Sequence, residues 1–411
     1  MASEVRGAEE ASVSLDRTIT LPGLVFYGLG VTVGAGIFAL LGEIVGLAGS
    51  HAPLSFLIAG LLASFTGASY ILLVGAFPQA GAEAAYVGRG LGSMAGRVTG
   101  LAVVVTGVIT GAVVALAFAG YLASLVAIPE PLGAVAVVVT LSLVAWWGVR
   151  ESVFLAAVVT LVEVGTLMVV IAFGLDLLGT PQLLRDSFVP SFDTALMSPI
   201  LAGSVLAFFA FVGFENIANM AEETVAPRRT APLAISIVLG VSIAIYVMLA
   251  LVAVAVPDRA AIAESSAPMA TLYEEVSGRG SEPVAIAASL AMINGILIQI
   301  VMASRVLYGM AKQGLVPAMI GRVGESRQTP TRATAVVTAA MVSLILFFPL
   351  VELARLTSLV TLGVFTMVNA ALFLIGGRQP GTSIARFRWV GFVGAVASVA
   401  LATWQVVDEL A

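Results

Sequence analysis

Eleven apolar runs of membrane-spanning length, separated by charged or Pro/Gly-rich breaks, constrain this chain more than any other feature. They fall at about 21–48, 53–77, 98–127, 132–149, 152–179, 195–221, 231–256, 282–311, 333–350, 353–376 and 389–406. A hydrocarbon core about 30 Å thick is crossed by roughly 20 helical residues. Inside it each segment has to satisfy its own backbone polar groups, which leaves helices or a closed barrel. Runs this long predict an all-α integral membrane protein of about eleven transmembrane helices. The balance of 60% hydrophobic to 10% charged residues agrees, since soluble domains carry about 25% charged residues. Without cysteine there is no disulfide, thiolate nucleophile or thiolate metal site. One histidine, His51, argues against a His-based metal centre or a Ser-His-Asp triad. No cofactor, no metal and no enzymatic activity are therefore expected. A net charge of -5 spread over loops points to no nucleic-acid partner.

The first run is interrupted. Gly34-Ala35-Gly36 sets residues of poor helix propensity at the middle of an apolar segment. Small residues at such spacing also serve close helix packing. An unwound turn at membrane depth is tolerated where protein or a water-filled cavity satisfies it. A half-helix starting there aims free N–H groups and a positive dipole end at an anion. The sixth run carries a second interruption at Gly213, between Phe211 and Phe214, followed by Glu215 and Asn216. Its unwound turn would offer free carbonyls as well as N–H groups.

Corresponding interruptions in two halves point to a midplane binding site in transporters. The expected organisation is a cytoplasmic tail over 1–20, a five-helix repeat over 21–180, and a second, inverted five-helix repeat over 194–376. An additional transmembrane helix follows over 388–406. An odd number of helices per repeat inverts the second against the first. With N–H groups facing an anion and carbonyls facing a cation, an α-amino acid zwitterion meets both demands.

The basic residues orient the bundle. With the N-terminus cytoplasmic, only Arg185, Arg259, Arg279 and Arg355 of the nineteen Lys and Arg fall outside. A multi-pass protein of the cell membrane with a cytoplasmic N-terminus follows. The first twenty residues lack a cleavable leader pattern, so the first run is expected to act as an uncleaved insertion signal. Two loops exceed simple connectors. Pro78 to Arg97 is cytoplasmic and holds Glu83, Tyr86 and Arg89. Pro257 to Glu282 is external, with a short amphipathic pattern at Met269, Leu272, Tyr273 and Val276. It is read as a lid over an outward vestibule or as an inert cap.

Three stretches resemble the amino acid–polyamine–organocation transporter family. Gly30-Val-Thr-Val-Gly-Ala-Gly-Ile-Phe38 looks like its helix 1 signature. Phe208-Phe-Ala-Phe-Val-Gly-Phe-Glu215, followed by Ala221-Glu-Glu-Thr-Val-Ala-Pro-Arg228, resembles its helix 6 and the stretch after it. Ser304-Arg-Val-Leu-Tyr-Gly-Met-Ala-Lys-Gln-Gly314, then Pro317, is similar to its helix 8 ending. The resemblance runs from about Leu21 to Gly376. It implies a leucine-transporter-type fold, alternating access and a substrate held at broken helices 1 and 6. Gly34, Ala35 and Gly36, with Val33 beside them, would take the substrate carboxylate. Carbonyls around Phe208, Ala210 and Phe211, next to Gly213, would take the amino group, with Phe211 as pocket lining or gate. After Pro78 the family's glycine pair and first tyrosine are replaced by Gly81-Ala82 and Ala84, so Tyr86 alone represents the cytoplasmic gate. The chain carries about eleven runs where twelve helices are usual.

Glu163 lies midway along the fifth run. An ionised carboxylate at the bilayer centre costs at least about 2.5 kcal/mol, so such residues usually face the bundle interior and work. Proton-using members of the family often carry a lysine at what looks like this position. Three readings follow: a titrating proton carrier, an oxygen ligand for a cation, or a protonated side chain bonded to a backbone carbonyl. Proton coupling is the reading taken here, with sodium as the lesser choice. Glu215 is expected to hold or gate the second break. Asn294 either lines the pocket or pairs with a neighbouring helix. Thr106, Gly107 and Thr110 border the substrate or serve packing, Glu43 sits toward the external mouth, and His51 is interfacial.

The expected activity is secondary transport of an amino acid, with the proton as coupling ion and the lipid bilayer as surroundings. A polyamine or organic-amine carrier, or an exchanger, would use Glu43, Glu163 and Glu215 as counter-charges. A membrane sensor or scaffold that keeps the fold without transporting, and a passive channel, are the readings from other classes. Few polar side chains near the breaks favour a neutral, fairly apolar amino acid.

Overall fold

The computed structural model describes residues 17–79, 81–147, 153–190, 194–312, 316–321 and 329–410. Most of the predicted 1–20 tail and the Gln313-Gly314 end of the third motif lie outside the described residues. Helices α1 (Leu21–Ala48) and α2 (Ala52–Ala76) are joined by a 3-10 turn at Gly49–His51. A short helix, α3 (Ala82–Leu91), precedes α4 (Ser93–Leu125), α5 (Glu130–Trp147) and α6 (Val153–Gly174). Then come α7 (Pro181–Phe188) and the interrupted pair α8 (Thr194–Phe211) and α9 (Asn216–Asn219). The long α10 (Pro227–Ala255) leads to α11 (Arg259–Ala263) and α12 (Pro268–Ser277). The chain ends with α13 (Glu282–Lys312), α14 (Thr331–Phe347), α15 (Leu350–Arg378) and α16 (Ser383–Leu410).

Nine helical segments among the described residues are long and apolar enough to cross a bilayer, one being the joined pair α1–α2. With α1 and α2 taken separately, and the shorter apolar α14 added, every apolar run of the sequence forms a helix. Seven helices, α1, α2, α5, α7, α10, α12 and α13, open with proline in the first two positions. There a missing N–H is harmless and the fixed φ suits the turn. Helix α1 is apolar on nearly every face and largely buried, as a core helix should be. Helices α5, α6 and α16 turn most of their surface outward.

Packing is reciprocal between the two sets of five. Helix α1 packs on α8, α2 on α10, α4 on α13 and α5 on α14. Cross-contacts come in matched pairs as well: α1 on α10 with α2 on α8, α1 on α6 with α8 on α15, and α4 on α15 with α13 on α6. This is the pairing that a two-fold relation between the sets would give. The short elements obey it too, since α3 packs on α4 and α15 as α12 packs on α13 and α6. The amphipathic pattern of the long external loop becomes α12, with Met269, Leu272 and Tyr273 buried beneath it.

Candidate functional site

Both predicted interruptions are present, and they touch. Gly34 departs from helical geometry inside α1, with φ -39° and ψ -119°. Helix α8 stops at Phe211 and α9 starts at Asn216. Gly213, with φ 135°, is the residue that makes the second turn. A Cβ on Gly36 would lie 2.6 Å from the Ala210 Cα, and one on Gly213 would lie 2.8 Å from the Val31 carbonyl oxygen. Each break is thus seated against the backbone of the other helix, an approach that only glycine permits.

Two side chains hold this junction. The Glu215 carboxylate accepts the Gly213 N–H at 2.8 Å, closing the turn locally. The Tyr246 hydroxyl, from α10, lies 2.7 Å from the Thr32 carbonyl and 2.9 Å from the Ala210 carbonyl. One hydroxyl hydrogen is shared between carbonyls that the two breaks release. Its ring packs on Phe211, with centroids 5.0 Å apart, and on Phe56. Tyr246→Phe leaves a buried carbonyl without its donor, which costs about 1–3 kcal/mol. The expected result is a lower Tm in detergent, together with weaker substrate affinity. Thermal unfolding and substrate titration of the purified variant measure both.

A cavity abuts the junction, walled by Thr32, Ala35 and Gly36 of α1, Phe209 of α8, Val212 after it, and Gln299 of α13. It shares Thr110, Val212 and Gln299 with a second chamber, which holds Thr106, Gly107, Glu215 and Thr361. That chamber shares Glu83, Asn216 and Met302 with a third, which reaches Arg305. The hydroxyls of Thr32, Thr106, Thr110 and Thr361 and the Gln299 Oε1 are buried without a hydrogen-bond partner. Buried polar groups normally find partners, so these five are groups a ligand or ordered water would satisfy.

The predicted residues sort clearly around this path. Ala35 and Gly36 line the cavity, whereas Val33 and Gly34 are buried beside it. On α8 the lining residue is Phe209. Phe208 faces Phe365, with centroids 5.7 Å apart, Phe211 faces Tyr246, and Ala210 meets Gly36. Asn294 is not among the lining residues; Gly295, Ile298 and Gln299 are. Tyr246 and Gln299 escaped the sequence reading, although a tyrosine and a glutamine deep in apolar helices are signals of their own.

Glu163 is 1% exposed, and neither carboxylate oxygen has a hydrogen-bond partner. The backbone-carbonyl bond of the structural reading is thus absent here. Helix α6 packs on α1, α10 and α13, and one turn before Glu163 its Thr160 abuts Gly30 of α1.

Each end of the bundle is fastened to one half-helix. At the α12 end, Met269 N–H donates to the Tyr121 hydroxyl at 3.1 Å, and that hydroxyl donates to the Phe38 carbonyl at 2.9 Å. At the α3 end, Asn219 accepts the Ala82 N–H at 2.8 Å and donates to Glu83 at 3.2 Å. Tyr70 donates to the same carboxylate at 3.3 Å. Thr18 and Ile19 donate to the Glu223 carbonyl, tying the entry of α1 to the segment after α9. Tyr86 is buried, bonded to the Phe77 carbonyl and edge-on to Tyr70. His51 sits in the α1–α2 turn, 3.4 Å from the Ser187 carbonyl, and Glu43 is exposed on α1.

Glu83 belongs to α3, outside the spanning helices. Burial pushes its carboxyl above the usual glutamate range, against the opposing pull of bonds from its own N–H, Asn219 and Tyr70. A raised value in the folded state means a stabilising contribution that is full below the ordinary range and lost as pH rises through the raised value. Glu83→Gln keeps an oxygen acceptor for Asn219 and Tyr70 but cannot ionise. The expected result is a smaller fall in Tm from pH 5 to pH 8 than in the unaltered protein.

The amino acid permease family model matches residues 19–409. Cationic amino acid transporter 2, vacuolar, of Arabidopsis thaliana is 29% identical over 88% of this chain and 60% of its own length. The chain therefore spans about 60% of that plant relative. The methylthioribose transporter of Bacillus subtilis is 27% identical over 96% of this chain and 88% of its own length. The branched-chain amino acid permease BcaP of the same organism is 25% identical over 91% and 84%. The match runs through both interrupted helices and on to the end of α16, and the chain belongs to the amino acid permease family.

Proposed function

We propose that this chain is a secondary active transporter of amino acids, coupled to protons and working by alternating access. The observation that carries the reading is the interlocked pair of breaks at the wall of a cavity. There the start of a half-helix and freed carbonyls lie side by side, which suits a carboxylate and an ammonium on one α-carbon. The unpartnered threonines and Gln299 face the remaining space and suit a small neutral side chain.

Alternating access is supported by the fastened ends. The chambers run from the breaks toward Arg305, and none is lined by α12. With the N-terminus cytoplasmic, as the distribution of basic residues favours, this is an inward-facing conformer with α12 closed outside. Proton coupling rests on Glu163, buried and unpartnered on α6, the helix that packs on α1, α10 and α13. Its proton would travel with the substrate-loaded conformer.

A cationic amino acid or organic amine is the second reading. It is favoured by Glu83 and Glu215 on the wall of the middle chamber and by the plant relative's name. Binding separates the two. Purified protein is titrated with neutral and cationic amino acids, the matching amines without carboxylate, and the matching acids without amine. An amino acid at about 100 times its Kd stabilises by about 2.7 kcal/mol. Stabilisation by an amino acid and by neither truncated compound supports the zwitterion site. Equal stabilisation by the amine transfers the proposal to the amine carrier.

A further inference from the structure

The end of the bundle beyond α15 carries a second, unrelated concavity. The turn between α15 and α16 forms a hollow lined by Gly377, Thr382, Ser383, Arg386 and Arg388. It continues into a neighbouring hollow through Thr382 and Ser383, where Arg228 adds a third guanidinium. Among the described residues no Asp or Glu lines either hollow. In a chain of net charge -5, a basic concavity without acidic neighbours stands apart.

The arginines are set in place by packing. Arg388 lies across Gly376, where a Cβ would sit 2.7 Å from the arginine's own Cβ. Its guanidinium rests 5.3 Å from the Phe373 ring and 5.5 Å from the Trp389 ring. Arg386 rests 5.3 Å from Phe387. Arg378, at the end of α15, turns away to donate to the Arg89 carbonyl, so it is not counted in the site. Among the described residues no carboxylate pairs with the guanidiniums on the hollow, and planar bidentate donors match phosphate oxygens.

The surroundings say where that phosphate comes from. Following the arginines on α16, Trp389, Phe392 and Val393 lie on one side of the helix and are 44–57% exposed. They form an outward apolar face continuous with the hollow, as at a headgroup level flanked by acyl chains. We propose that this hollow binds the phosphate headgroup of an anionic phospholipid, with the acyl chains lying along the outer face of α16. The charge of a basic cluster at a membrane surface is worth a several-fold gain in affinity per arginine.

The test uses the full chain in detergent, with dioleoylphosphatidylglycerol, dioleoylphosphatidylcholine or inorganic phosphate as probe. Retained lipid is read by native mass spectrometry and Tm by thermal unfolding. Phosphatidylglycerol should be retained and raise Tm, phosphatidylcholine should be retained far less, and R386Q/R388Q should lower phosphatidylglycerol affinity about 10–30-fold. R185Q/R259Q, at the opposite end, should bind as the unaltered chain does. Should the double variant not fold, R386Q alone, at an exposed position, should give about a fivefold loss. Equal phosphatidylglycerol retention in folded variant and unaltered chain would overturn the site. Inorganic phosphate displacing the lipid at matched concentration would overturn the lipid as its occupant.

Discussion

Replacing Glu163 with glutamine should abolish proton-driven accumulation while leaving exchange intact. A gradient of one pH unit is worth about 1.4 kcal/mol per proton, so one proton per substrate supports about tenfold accumulation. The variant should only equilibrate its substrate, since glutamine fills the same space and carries no titrating proton. Exchange of internal for external substrate requires the loaded carrier to reorient and nothing to titrate. It should therefore proceed within a few-fold of the normal rate. Glu163 has no hydrogen bond on either carboxylate oxygen, so the change to glutamine breaks none. A structural glutamate would show the opposite pattern, with accumulation and exchange falling together as the fold loosens. Initial rates in proteoliposomes, with and without an inward proton gradient, separate the two.

The second large effect belongs to the glycines that let the breaks interlock. Gly213→Ala places a side chain on a backbone at φ 135° and drives its Cβ to 2.8 Å from the Val31 oxygen and 2.9 Å from the Val31 carbon. The conformation costs about 1–3 kcal/mol, and relieving the contact moves the α1 backbone at a further ~1–3 kcal/mol. Gly36→Ala meets the Ala210 backbone in the same way. Either change should push the half-helices apart, lowering Tm and weakening substrate binding by at least tenfold. Gly240→Ala, on α10, meets nothing within 4 Å. That control should leave binding unchanged and gain slightly in helix propensity.

Much of this was legible from residues alone, and the boundary has a physical reason. Gly34 and Gly213 announced their breaks because glycine at the middle of an apolar run is costly without a use. The amphipathic spacing of Met269, Leu272 and Tyr273 announced α12, since its surroundings differ on its two sides. Inside the bundle that contrast vanishes. Helix α8 is apolar all round, so no periodicity says that Phe209 rather than Phe208 or Phe211 turns to the cavity. The same uniformity along α13 hides that Gln299, rather than the predicted Asn294, lines the cavity. Tyr246 and Glu83 act through partners far away in the chain, Thr32 and Ala210 for the first, Tyr70 and Asn219 for the second. Only the fold brings those groups together.

The proposed step is carriage of an amino acid across the membrane with a proton, from a site between the two breaks. Its most direct test is uptake of a radiolabelled panel of neutral and cationic amino acids and polyamines into sodium-free proteoliposomes. The account predicts that a neutral amino acid accumulates when an inward proton gradient is imposed and only equilibrates when the gradient is collapsed by an ionophore. Folded protein that accumulates no member of the panel, or accumulates one equally with and without the gradient, would contradict it.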